Sequence, residues 1–118
     1  MKFTFGVVTT TEPQRMSRNT NNHIREMIDA IRANEIPEDS YEIIIVGGDN
    51  EYHNDKDVTH FYFDDIHPKP GWFTRKKNMI TENAKFDNIV FSHDYIRLDK
   101  DWYKGFLKFG DDWDICMC

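Results

Sequence analysis

The sequence contains only two cysteines, Cys116 and Cys118, with one residue between them. A pair this close in the chain cannot close a useful loop, so the disulfide framework of small secreted proteins is excluded. No apolar run approaches the roughly 20 residues that a membrane-spanning helix needs. The apolar run near the N-terminus lacks the small-residue cleavage site of a secretory signal peptide. We therefore expect a reducing, cytoplasmic setting and no membrane span.

Positive charge is also scarce, because 15 lysines and arginines stand against 21 aspartates and glutamates, for a net charge of −6. An acidic chain is a poor ligand for nucleic acid or for an anionic membrane surface, and neither is expected as a partner. Apolar side chains are abundant: 39% of the 118 residues are hydrophobic and 14% are aromatic. This is enough for one domain, residues 1–118, with its own core.

Hydrophobic periodicity alternates between strand and helix patterns along the chain. The patterns predict strands at 3–9, 41–46, 58–63, 88–92 and 113–118, and helices at 21–34, 72–85 and 98–109. Such alternation is typical of an α/β fold, with a mostly parallel central sheet covered by helices on both faces. The sequence therefore predicts a three-layer α/β/α domain in which Trp102, Phe106, Phe109 and the cysteines contribute to the core.

Three predicted strands end in loops whose residues suit a nucleotide. Ligands of open parallel sheets bind beyond the carboxyl ends of the strands. These loops contain a threonine-rich stretch that starts at Thr9, the sequence Gly47-Gly48-Asp49, and the pair His93-Asp94. Glycines allow a ligand to approach the backbone, and an Asp at a strand end can hold a divalent cation on a diphosphate. Neither a G-x-G-x-x-G fingerprint nor a phosphate-binding P-loop is present.

The order and spacing of these segments resemble the nucleotide-diphosphosugar glycosyltransferases of the GT-A fold, family 2 type. The resemblance covers essentially the whole chain. It is strongest from the helix that contains Arg75-Lys76-Lys77-Asn78 to the strand end Ile89-Val90-Phe91-Ser92-His93-Asp94, which look like the family's Arg-Asn helix and its D-x-D strand end. The resemblance implies a Rossmann-like GT-A domain that binds a nucleotide-sugar donor.

The family's donor-binding roles are carried over to matching positions of this chain. The resemblance implies that Thr9 and Thr11 line the pocket for the base or ribose, that Asp49 holds the base or ribose, and that Arg75 contacts the base or diphosphate. Lys76 and Lys77 are interpreted as surface residues. Gly47 and Gly48 stand where the family usually has two acidic residues.

The metal motif also departs from the family's pattern. His93 replaces the first Asp, Asp94 matches the second, and Tyr95 stands where another acid is common. Imidazole and carboxylate both suit Mn²⁺, so the resemblance implies that Asp94 and His93 hold Mn²⁺ or Mg²⁺.

The implied activity is glycosyl transfer from a UDP- or GDP-sugar to a saccharide or another hydroxyl acceptor. Family members continue into an acceptor-binding half that carries the acceptor base, so this chain is expected to be a donor-binding domain without that half, and no catalytic residue is predicted. Exposed apolar surface around 113–118 would favour a homodimer. The alternative is a non-enzymatic, degenerate α/β module with a nucleotide-binding or assembly role.

Overall fold

Strands and helices follow one another along the chain in the predicted order, apart from the last predicted strand. A computed structural model describes residues 1–10, 20–48, 55–64 and 70–116, and of residues 20–22 the backbone alone. The strands in these ranges are β1 (Phe3–Val8), β2 (Tyr41–Val46), β3 (Val58–Phe61) and β4 (Asn88–His93). The helices are α1 (Thr20–Arg32), α2 (Trp72–Asn83) and α3 (Trp102–Phe109).

The four strands form one parallel sheet in the order β3-β2-β1-β4. Strand β1 lies in the interior of the sheet, and all six of its residues are buried. Val8 at its end is in register with Val46 of β2 on one side and with His93 of β4 on the other. The predicted α/β fold with a parallel sheet is confirmed.

Helices α1 and α3 cover one face of the sheet. Helix α1 buries the apolar stripe that its 3.6-residue period predicts, formed by Ile24, Met27, Ile28 and Ile31. These side chains pack with Phe3 and Phe5 of β1 and with partly buried aromatic residues of α3. The ring of Phe3 contacts that of Trp102 edge-on, with 5.1 Å between centroids.

Helix α2 covers the opposite face, where Ile80 packs with Val8, Ile44 and Val46. Its approach depends on Gly6 of β1, because a Cβ at that position would lie 2.5 Å from Cγ2 of Ile80. The molecule therefore has the three layers that the sequence predicts.

The predicted C-terminal strand is wrong over residues 113–116, and residues 117 and 118 lie outside the described ranges. Helix α3 ends at Phe109, the following Gly110 has a φ of 92°, and the indole of Trp113 turns back to donate to the Gly110 carbonyl over 2.7 Å. A strand needs a neighbouring edge to pair with, and this segment instead leaves Cys116 exposed. Phe109, predicted as a core residue, is 65% exposed on the outer face of α3.

A charged network joins α1 to the start of β3 at the amino edge of the sheet. Arg32 pairs with Asp57 and Asp55, Arg25 pairs with Asp55 over 2.8 Å, and the Tyr41 hydroxyl donates to Asp57 over 2.7 Å. Hydrogen bonding to the Arg32 guanidinium lowers the pKa of Asp57. Burial, followed by the hydrogen bond to Asp57, raises the pKa of Tyr41 to about 12. This network lies at the opposite edge from the candidate site.

Candidate functional site

The candidate site lies where the direction of strand order reverses. From β1 the chain builds the sheet outward through β2 and β3, and then returns to place β4 on the other side of β1. In open parallel sheets such a reversal opens a crevice at the carboxyl ends of the two strands on either side of it, here β1 and β4. Thr9 follows β1 and Asp94 follows β4, so the crevice lies between two residues that the sequence predicts to be functional.

Thr9 and Asp94 are in direct contact. The Thr9 hydroxyl donates to Oδ2 of Asp94 over 3.1 Å, and the two residues are 1% and 3% exposed. The amide of Thr9 also donates to the carbonyl of Val46 over 3.0 Å, which extends the sheet pairing by one residue. A buried carboxylate requires hydrogen-bond donors, and the Thr9 hydroxyl supplies one from the neighbouring strand. The structure thus joins one predicted donor-binding residue to one predicted metal ligand.

The turn that carries Asp94 is held from its other side by Arg97. The guanidinium of Arg97 donates to the carbonyl of Asp94 over 2.8 Å and pairs with Glu26 of α1 over 2.7 Å. The hydrogen bond from Arg97 lowers the pKa of Glu26, so this carboxylate stays charged. Asp94 is therefore anchored to both β1 and α1.

His93 lies at the end of β4 in an aromatic environment. Its ring stacks on Tyr95 with 5.4 Å between centroids and 2° between planes, and it meets Phe73 edge-on at 6.1 Å. His93 is half-buried and Tyr95 is exposed. The imidazole is thereby held beside the Asp94 turn by ring contacts.

Gly47 and Gly48 follow β2 and border the site beside Thr9. Their φ values are 94° and 71°. Both angles lie in the left-handed region that favours glycine. A Cβ on Gly48 would lie 2.9 Å from Cγ2 of Thr9, so the backbone after β2 approaches Thr9 closely. Gly47 is fixed to the end of β3, because its amide donates to Phe61 over 3.0 Å and its carbonyl lies 2.6 Å from Nε2 of His60.

Of the three basic residues of α2, Lys76 lies in a different position from that predicted, whereas Lys77 is exposed as expected. Arg75 is exposed in the first turn, and within the described ranges its side chain makes none of the contacts that join Thr9 and Asp94. Lys76, predicted as a surface residue, is completely buried and donates through Nζ to the carbonyl of Thr9 over 2.5 Å. The prediction is wrong because Lys76 shares the buried face of α2 with Trp72 and Ile80, one turn away on either side. The spacing of four residues from Trp72 to Lys76 and from Lys76 to Ile80 was the sequence signal that Lys76 lies on the buried face of α2.

Two predicted donor-binding residues, Thr11 and Asp49, lie outside the described residues. In the ranges that are described, no group of three or more His, Cys, Asp or Glu residues is arranged to hold a metal ion. The helices in those ranges include none that is long and apolar enough to cross a membrane.

Comparison with known proteins identifies the fold. No protein-family model and no curated protein matches the sequence. Solved structures of S. aureus TarS, a glycosyltransferase of the GT-A fold and family 2 type, are similar to it. TarS 1–349 matches with a TM-score of 0.68 and 19% identity over 92% of this chain and 32% of TarS 1–349.

The TarS structures with ligands give similar values. The complex of TarS 1–349 with UDP has a TM-score of 0.66 and 18% identity, and the complex with UDP-GlcNAc has a TM-score of 0.68 and 19% identity. This chain spans about a third of the length of these TarS chains. At such identities the likeness is one of architecture, and it agrees with the parallel sheet and its helical layers. The described part of this chain has the GT-A fold.

Proposed function

We propose that this chain binds the nucleotide-diphosphate sugar donor of a glycosyltransferase. The observation that carries the proposal is the contact between Thr9 and Asp94 at the reversal of strand order in a GT-A fold. This crevice is where parallel α/β sheets bind their ligands, and an Asp at its edge suits a cation-bound diphosphate. TarS is crystallised with UDP and with UDP-GlcNAc, which makes a UDP-sugar the first donor to test and a GDP-sugar the second.

Asp94 and His93 are proposed to hold Mn²⁺ or Mg²⁺ between the protein and the diphosphate. The donor set fits, because the Thr9 hydroxyl fixes the Asp94 carboxylate at the sheet edge and His93 directly precedes it. Such cations need only one or two protein side chains when phosphate oxygens supply other ligands, and imidazole is acceptable to Mn²⁺. When bound, the cation would offset the charge on the departing nucleoside diphosphate.

The remaining residues of the site are proposed to bind the nucleotide. Gly47 and Gly48 allow a ligand to approach the backbone beside Thr9. Arg75 is exposed near the start of α2 and is proposed to contact the base or diphosphate from there. Thr11 and Asp49 are proposed to contact the base or ribose.

The proposed reaction is transfer of the glycosyl group to a saccharide or another hydroxyl acceptor. The acceptor oxygen would bond to the anomeric carbon, and the bond from that carbon to the diphosphate oxygen would break. The hydroxyl proton requires a base, and we assign none to this chain. The contribution of these residues is therefore to bind and orient the donor.

Titration calorimetry tests the proposal with UDP and GDP, each with and without Mn²⁺. Asp94→Ala should abolish the metal-dependent binding, whereas Asp87→Ala, which removes an exposed carboxylate at the start of β4, should leave it unchanged. If neither nucleotide binds at millimolar concentration, the donor site is refuted. Tight binding that ignores both Mn²⁺ and Asp94→Ala would favour the non-enzymatic nucleotide-binding module.

Self-association is a separate part of the proposal. Leu107, Phe109 and Ile115 are 50%, 65% and 85% exposed, and exposed apolar side chains can contribute to a protein interface. We propose that this C-terminal region forms a homodimer. Light scattering should give a dimer mass that Phe109→Lys converts to a monomer mass, and a monomer for the unaltered chain at high concentration would contradict the proposal.

A further inference from the structure

Lys76 is a completely buried lysine beside the candidate site. Its ammonium lies over the rings of Trp72, Phe63 and Phe73, at 4.5, 5.0 and 6.0 Å from their centroids. It also donates to the carbonyl of Thr9. An ammonium is costly to remove from water, and ring faces and a carbonyl oxygen each offset part of that cost. A methionine could fill the same space, whereas the ammonium adds a hydrogen bond to the end of β1.

The contacts of Lys76 indicate how it could act. Its ammonium meets ring faces and donates to a backbone carbonyl at the end of β1. That carbonyl belongs to Thr9, and the hydroxyl of the same Thr9 donates to Asp94. Two hydrogen bonds, joined through the covalent structure of Thr9, thus link helix α2 to the carboxylate after β4.

We propose that Lys76 is a positioning residue that acts on Asp94 through Thr9. By holding the Thr9 carbonyl, Lys76 fixes the backbone at the end of β1, and this backbone sets the direction of the Thr9 hydroxyl. The hydroxyl then orients the Asp94 carboxylate toward the metal and diphosphate. This inference rests on the proposed function for its ligand, but the two hydrogen bonds are a property of the protein alone.

A double-mutant cycle tests the proposal by measuring the affinity for UDP in the presence of Mn²⁺. Lys76→Met removes the charge at similar length, and Thr9→Val removes the hydroxyl at similar volume. Each should weaken binding by about tenfold or more, the effect typical of partners that orient metal ligands. If Lys76 acts through the Thr9 hydroxyl, the double variant should be no weaker than Thr9→Val alone. Thr9→Ser restores the hydroxyl and should restore affinity.

Lys77→Met is the matched control, because Lys77 is the neighbouring lysine of the same helix and is exposed over the ring of Phe91. It should bind UDP and Mn²⁺ like the unaltered chain. The proposal is overturned if Lys76→Met binds normally, or if the losses from Lys76→Met and Thr9→Val multiply in the double variant.

Chemical shifts separate this proposal from the donor proposal. Lys76→Met should shift the carbonyl-carbon resonance of Thr9 and, at one fixed pH, the carboxyl-carbon resonance of Asp94. The Asp94 shift should disappear when Lys76→Met is made in the Thr9→Val background. If the shifts occur but UDP does not bind, the link through Thr9 stands and the donor proposal fails. If Asp94 does not respond to Lys76→Met, the positioning role is refuted. If Lys76→Met does not fold, Thr9→Val tests the second link, and an Asp94 resonance that Thr9→Val leaves unmoved refutes the role.

Discussion

The hydroxyl of Thr9 donates to the carboxylate of Asp94 across a separation of 85 residues in sequence. The two residues follow different strands, β1 and β4, which the parallel register brings to the same edge of the sheet. A hydrogen bond to a buried carboxylate is stronger than one between neutral groups, and its loss leaves a charged acceptor with one donor fewer. This contact therefore links the stability of the fold to the geometry of the site.

Thr9→Val is expected to lower the free energy of unfolding by about 1–3 kcal/mol, because it removes a donor to a buried carboxylate at nearly constant volume. Urea denaturation measures the change. Thr81→Val is the control, since Thr81 lies on the exposed face of α2 and should change stability by less than about 0.5 kcal/mol. Equal effects of the two substitutions would contradict the role given to the Thr9 hydroxyl.

Gly48→Ala is expected to destabilise the chain by about 1–2 kcal/mol and to weaken nucleotide binding. Its φ of 71° is unfavourable for alanine, and the new Cβ would meet Cγ2 of Thr9 at 2.9 Å. Gly105→Ala, in helix α3 with open space around its Cβ position, should instead stabilise by up to about 1 kcal/mol. The urea midpoint of Gly48→Ala should lie below that of the unaltered chain, and the midpoint of Gly105→Ala should lie above it. A Gly48→Ala midpoint equal to that of the unaltered chain would contradict the prediction.

Acid stability is expected to depend on Asp57, whose pKa is lowered by hydrogen bonding to Arg32. A lowered native pKa adds stability above the unfolded value of about 4, and this contribution is lost as pH falls through the native pKa. The urea midpoint of the unaltered chain should therefore drop more steeply below about pH 4 than that of Asp57→Asn. The exposed Asp114→Asn should keep the steep drop. Parallel curves for all three chains would count against the network.

Alkaline stability is expected to depend on Tyr41, whose pKa burial raises to about 12. The native state holds this proton more tightly than the unfolded chain, so the contribution is complete below about pH 10 and is lost as pH rises through 12. When tyrosinate absorbance is followed as pH rises, the step at the highest pH should be missing in Tyr41→Phe. Tyr62→Phe, at a tyrosine that is 78% exposed, should retain that step. A late step that survives in Tyr41→Phe would refute the assignment.

Elements with a strong local signal were predictable from the sequence. The nearly continuous apolar run at 41–46 becomes β2 over the same residues, because a strand buried on both faces has few polar side chains. Helix α1 buries the stripe that its period marks. The segment 113–116 had a similar apolar character but forms no strand, because pairing depends on a neighbouring edge that composition does not reveal.

The site was only partly predictable for the same reason. Sequence identified Thr9, His93 and Asp94 as strand-end residues, because apolar runs end visibly at those positions. It assigned Lys76 to the surface, since a lysine is rarely buried. The ring of Trp72 on the same helix was a local signal, whereas the contacts with Phe63 and the Thr9 carbonyl depend on the tertiary structure.

The sequence by itself determined the order of the elements, the parallel character of the sheet and the edge at which the candidate site lies, because these follow from local periodicity and from the rules of parallel sheets. Tertiary structure alone decided that β4 lies beside β1, which places Asp94 against Thr9 and Lys76 beneath both. Contacts between residues more than 60 positions apart depend on the register of whole elements, and that register is set by packing across the entire core.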